Sequence, residues 1–74
     1  TPLQELAAEE LSARLARCLE KLPAGWRAVV SLRDAEEMPY DQIAVCLGIA
    51  LGTVRSRLSR ARLALKDCIE ESAP

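Results

Sequence analysis

The 74-residue sequence predicts an all-α fold, a small four-helix domain ending in a helix-turn-helix. Three observations lead there. Half of the residues are hydrophobic but only 3% are aromatic, Trp26 and Tyr40, so the apolar content is rich in Leu and Ala and favours helices over a β-sandwich. Apolar residues recur with a 3.6-residue period, and no segment alternates for long enough to make a strand. Three breaker clusters, Pro23–Gly25, Glu36–Pro39 and Gly48–Gly52, divide the chain into four helical lengths.

The first helix is expected from about Pro2 to Lys21. Thr1 can cap it, Pro2 suits the first helical position, and Gln4 completes a Thr-x-x-Gln capping box. Leu3, Ala7, Leu11, Leu15, Cys18, Leu19 and Leu22 form its apolar stripe. Glu5, Glu9 and Glu10 crowd its start, where the helix dipole favours anions. Pro23 ends this helix and opens the second, about Ala24 to Ala35, with Trp26, Val29, Val30 and Arg33 along one side and Gly25 as an early weak point.

The third helix is short, about Tyr40 to Leu47, with Pro39 in its first turn and Ile43, Ala44 and Leu47 facing inward. Gly48 stands just past its end, where a left-handed residue is commonly required. The fourth begins near Leu51 or Gly52 and runs to about Ile69, its core stripe being Leu51, Val54, Leu58, Ala61, Leu65, Cys68 and Ile69. Trp26 is expected to be partly buried between the first two helices, and Tyr40 to cover the core with its hydroxyl in water. Met38, Ile49 and Leu51 fill gaps around the turn, while Leu63 projects near the polar side of the fourth helix.

Several function classes have no support. The chain has no His, so imidazole acid–base chemistry and His-containing metal sites are absent. It has no Gly-rich phosphate loop and no clustered acid–base pair, so neither an enzyme nor a cofactor is expected. No apolar run approaches the ~18–20 residues of a membrane span, and no signal-peptide pattern is visible. Cys18, Cys46 and Cys68 are spaced by 28 and 22 residues, with no Cys-x-x-Cys pair. This odd, dispersed set reads as small buried hydrophobes in a reducing cytosol, and neither as a disulfide framework nor as a zinc site. The first residue is Thr1 and not Met, so a piece of a longer protein is expected.

Charge placement carries the functional reading. The formal net charge is −1, yet the stretch from Ala50 to Lys66 holds five basic residues (Arg55, Arg57, Arg60, Arg62, Lys66) and no acid, against five basic and eight acidic residues in positions 1–49. DNA responds to such a local patch and not to the total. With Val54 in the core and about 100° per residue, Ser56 lies opposite the core, flanked by Ser59 and Arg60. Arg55, Arg62 and Lys66 share one flank, and Arg57 lies on the other, nearer the core boundary. A recognition helix in the major groove needs this layout: an outward ridge to reach base edges and flanking cations to grip phosphates. Arg60 can pair bidentately with guanine, and Ser56 or Ser59 can bond various bases. Free N–H groups near Gly52 and Thr53 can hold a phosphate. The alternative is a solvated face of an amphipathic helix with no ligand.

Leu22-Pro23, Val29-Val30-Ser31-Leu32-Arg33, Tyr40-Asp41-Gln42-Ile43-Ala44, Leu47-Gly48-Ile49 and the stretch Gly52-Thr53-Val54-Arg55-Ser56-Arg57-Leu58-Ser59-Arg60-Ala61-Arg62 together resemble region 4 of the extracytoplasmic-function (ECF) sigma factors. The match covers about Leu3 to Leu65, and its last stretch is far more specific than a generic helix-turn-helix. The resemblance implies one domain over residues 1–74, of the winged-helix-like superfamily without a wing, with the helix-turn-helix at about 40–66. It implies a bacterial, cytoplasmic transcription initiation factor that binds the promoter −35 element as double-stranded DNA and docks on the β-flap of RNA polymerase, with an anti-sigma factor as a further partner.

By position, the resemblance makes Arg55, Ser56 and Arg60 contacts to bases and backbone, puts basic Arg57 and Arg62 nearby, and sets Thr53 beside a phosphate. Ser59 and Lys66 complete the candidate DNA-binding set. Three positions depart from the family pattern: Pro39 replaces a usual Ser, Glu37 a usual Gly, and Ala50 a usual Pro. None lies on the reading ridge, and all three bear on loop geometry. The family's region 2, which opens the −10 element, is missing, so this chain alone is not expected to initiate transcription. Two other readings share the architecture: a protein-interaction module whose main ligand is the flap or an anti-sigma factor, and the helix-turn-helix of a two-component regulator or transposase.

Overall fold

The computed structural model describes residues 7–71. The proposed Thr1–Gln4 cap, Pro2, Leu3 and Glu5 lie outside them. Four α-helices follow one another: α1 (Ala8–Lys21), α2 (Ala24–Val30), α3 (Tyr40–Leu47) and α4 (Leu51–Glu71). No strand occurs among the described residues.

The α1–α2 corner is built on Pro23. Its carbonyl accepts the N–H groups of Trp26 and Arg27, so α2 starts without a side-chain cap. Arg27 Nη2 reaches back to the Leu22 carbonyl at 3.3 Å and satisfies a group that the end of α1 leaves open. The helical path continues past α2 to Ala35, as the sequence suggests, but residues Ser31–Ala35 take a wider π turn, in which Glu36 N–H bonds to the Ser31 carbonyl. Then Glu37 turns left-handed at φ 54°. The glycine usual in the resembling family would take this conformation freely; Glu37 takes it at a cost of roughly 1–2 kcal/mol. Backbone bonding holds the path, with Met38 N–H on the Leu32 carbonyl, and Arg33 Nη1 donates to the Met38 carbonyl at 3.1 Å.

The turn between α3 and α4 is a Schellman motif. Gly48 is left-handed at φ 65°, its N–H bonds to Val45 O, and Ile49 N–H bonds to Ala44 O. No Cβ-sized obstacle surrounds Gly48, so its glycine is required by the backbone angle alone.

The core is Cys18 and Leu22 of α1 and its end, Val29 and Val30 of α2, Ile43 of α3, and Val54, Leu58, Ala61, Leu65 and Ile69 of α4. Trp26, Tyr40, Met38, Ala44, Leu47 and Ile49 are half-buried against it. The expected stripes therefore hold on α2, α3 and most of α4. They hold less well on α1, where Ala7 is exposed and Leu15 is 37% exposed. Leu51, at the open end of α4, is also 37% exposed, and Leu63 is exposed as expected.

The cysteines correct the sequence reading. Cys18 and Cys68 form a disulfide that ties α1 to the last turns of α4, with their Cα atoms 5.9 Å apart, and Cys46 is a free, exposed thiol. Linear spacing misleads here because the two helices lie side by side. Positions 50 residues apart become neighbours only once the core has formed. Neither Cys46 nor the bridged pair is the set of three inert buried hydrophobes that was expected.

Two outcomes follow from this architecture. A bridge closing a loop of this length removes about 4 kcal/mol of unfolded-state freedom in the chain-entropy account, so urea unfolding with dithiothreitol should show stability lower by about 3–4 kcal/mol than without it; an unchanged midpoint would mean the bridge adds nothing. Glu37→Gly should stabilise the fold by about 0.5–1 kcal/mol, the relieved left-handed cost exceeding the added freedom of the unfolded chain. A lower thermal midpoint for this variant would show that Glu37 is held by more than its backbone.

Candidate nucleic-acid interface

The candidate site is the outward face of α4. The helix buries Val54, Leu58, Ala61, Leu65 and Ile69, and this single stripe fixes which residues point away. Arg55, Ser56, Ser59 and Arg60 are all exposed, and they lie on the first three turns of the helix. Neither guanidinium of this group has a hydrogen-bond or ion-pair partner among the described residues. The Ser56 hydroxyl donates to the Thr53 carbonyl at 3.2 Å, which leaves its oxygen free to accept.

The start of α4 differs from expectation in one respect. Thr53 N–H and Val54 N–H both donate to the Ala50 carbonyl. Thr53, half-buried, thus has no free N–H to offer a phosphate. Leu51 and Gly52, in the first turn, precede the helix's own hydrogen bonds, and Gly52 is exposed, so the open donors stand one residue earlier.

The other three candidate cations are engaged. Arg57 lies over the beginning of α2, where a Cβ on Gly25 would come within 3.0 Å of its Nη1. Gly25, read from sequence as a weak point, is the seat of that side chain. Arg62 Nη2 bonds to Asp34 Oδ1 at 2.8 Å, across 28 residues of sequence. The Asp34 hydrogen bond raises the Arg62 pKa above its ordinary value, partial burial opposes this, and Asp34's charge and the Tyr40 side chain add to the rise. Lys66 Nζ lies 3.9 Å from Glu70 Oε1 on the same helix. The stretch without acids in sequence therefore meets acids in space, from the π turn and from its own tail.

Sequence reasoning missed Asp34 and Tyr40. Tyr40 does cover the core, but its ring also carries the Arg33 guanidinium, 5.3 Å from the centroid. Helical periodicity places residues around one axis and is silent on which neighbour meets each flank.

A second surface feature involves α1. An open, mainly apolar groove of about 300 Å³ runs between α1, the π turn and α4, lined by Leu15, Leu19, Val30, Ser31, Asp34, Ala35 and Leu65. Among the described residues no group of acids and cysteines is placed to hold a metal, and no helix is long and apolar enough to cross a membrane.

Comparison with known proteins agrees with the resemblance. Residues 12–65 match the family model for sigma-70, region 4. The chain is 47% identical over 57 residues to the ECF RNA polymerase sigma factor SigE of Mycolicibacterium smegmatis, a match covering 77% of this chain and 22% of that protein. It is 35% identical over 69 residues to the ECF RNA polymerase sigma-E factors of Escherichia coli and Salmonella typhi, covering 93% of this chain and 36% of each. The matched part is thus between about a fifth and a third of the length of these relatives.

Proposed function

This chain belongs to the sigma-70 region 4 family, in its ECF sigma factor form, and on that premise we propose that it binds the promoter −35 element as duplex DNA through the exposed ridge of α4. It does so as the C-terminal domain of a sigma factor docked on RNA polymerase, during transcription initiation in the bacterial cytoplasm. The observation that carries this reading is the ridge itself: Arg55, Ser56, Ser59 and Arg60 stand together, exposed, on one helix whose opposite side is core.

The roles divide by chemistry. Arg60 offers a planar fork that matches the two acceptors of guanine in the major groove. Ser56 and Ser59 offer hydroxyls that suit several bases. Arg55 and the open N–H groups of Leu51 and Gly52 suit phosphate, with Thr53 beside them. No bond is made or broken in this function, so no cofactor is needed. Isolated affinity is low because few phosphates are reached, and tethering to polymerase supplies the effective concentration that compensates.

The apolar groove beside α1 supports a second, compatible reading, the protein-docking one. A surface of this kind suits a partner helix, and the polymerase β-flap and an anti-sigma factor are the candidates. Its lining includes none of Arg55, Ser56, Ser59 and Arg60, so both activities fit on one domain.

Fluorescence anisotropy with a −35 duplex and a scrambled duplex, at two salt concentrations, tests the DNA reading. Preference for the −35 duplex and steep weakening with salt are expected, and equal weak binding to both would leave protein docking as the main function. Arg60→Ala should cost about 1–3 kcal/mol on the −35 duplex and less on the scrambled one. Equal loss on both would remove Arg60 from base reading.

A further inference from the structure

We propose that Arg62 is a positioning residue: it ties α4 to the π turn through Asp34, and so sets the angle at which α4 presents its ridge. It is not itself a phosphate contact. This inference rests on the DNA-reading role proposed above and assigns one of its basic residues a different task.

The geometry of the pair is the first ground. At 2.8 Å the Nη2–Oδ1 distance is that of a charge-assisted hydrogen bond. Both side chains are about half exposed, 49% and 52%, so the pair adds little to global stability. What it adds is a fixed relation between elements 28 residues apart. The Lys66–Glu70 contact makes a useful contrast. It lies within one helix at 3.9 Å and can fix nothing between helices.

The second ground is what surrounds the pair. The connection from the π turn to α3 contains the left-handed Glu37, a conformation that persists only where neighbours hold it. Arg33 holds one side, through the Met38 carbonyl and the Tyr40 ring. Arg62 holds the other, through Asp34 just before the connection. Two guanidiniums thus bracket the segment that sets α3 against α4.

The third ground is position along α4. Arg62 stands two turns beyond Arg55, about 10 Å further along the axis, and on the flank that faces the π turn. To reach a phosphate it would exchange one charge-assisted bond for another of the same kind, with little gain.

The test compares Arg62→Ala, Asp34→Ala and the exchanged pair Asp34→Arg/Arg62→Asp. Affinity for the −35 duplex is measured across salt concentrations, and amide hydrogen exchange over residues 36–49 is measured without DNA. Each single variant is expected to weaken binding about two- to fivefold, to leave the salt slope unchanged and to speed amide exchange in this segment. The exchanged pair is expected to restore both affinity and protection. Arg62→Gln removes the charge but keeps a long polar side chain and, should an alanine variant unfold, is expected to weaken binding at an unchanged slope. A fall of about one in the salt slope for Arg62→Ala or Arg62→Gln would make Arg62 a phosphate contact and overturn the proposal. So would tighter binding by Asp34→Ala, or an exchanged pair that folds without regaining protection. If the unaltered domain shows no preference for the −35 duplex, the DNA reading fails, and the exchange measurement alone still decides whether Arg62 ties the elements.

Discussion

The burial of one stripe of α4 is the interaction on which the rest depends. Val54, Leu58, Ala61, Leu65 and Ile69 meet Val29 and Val30 of α2, Ile43 of α3 and Cys18 of α1 in a single core. Each large apolar side chain taken from water contributes about 1.5–3 kcal/mol, so the helix that completes the core is also the one whose rotation is most firmly set. That rotation decides what faces outward. Arg55, Ser56, Ser59 and Arg60 are presented as a ridge because residues one to three positions away are committed to the interior. Core face and exposed ridge are two sides of one cylinder.

Much of this was open to inspection in the chain. The apolar period found the core positions of α2, α3 and most of α4, and Gly48 marked its own left-handed turn. The exposed ridge followed from rotating α4 about Val54. What escaped depends on where separate helices meet. Cys18 and Cys68 pair because α1 runs beside the end of α4. Asp34 meets Arg62 because a wider turn ends α2 beside α4. Arg57 settles over Gly25 because α2 begins there with no side chain in the way. A helical wheel holds one axis at a time and has no term for any of these. The family resemblance named the domain correctly, and it too was silent on the pairings.

Electrostatics divides α4 lengthwise. The front carries cations with no acid beside them among the described residues, and the rear carries cations answered by Asp34 and Glu70. A uniform basic stripe would attract any polyanion along its whole length. Here the unanswered charge is concentrated where the ridge also offers hydrogen-bonding groups suited to base edges, and the long-range field and the short-range contacts coincide. The groove beside α1 is mainly apolar, so the two surfaces favour ligands of different chemistry.

The bridge between Cys18 and Cys68 also changes the covalent topology of the molecule. With a sequence separation of 50, it encloses the α1–α2 corner, the connection through Glu37 and the Gly48 turn within one ring. A single peptide cut at any of these three places leaves one connected molecule of unchanged mass apart from the added water. The two pieces separate only when the sulfur–sulfur bond is opened as well. Damage to the loops of this domain is therefore silent to a size measurement under oxidising conditions and visible under reducing ones.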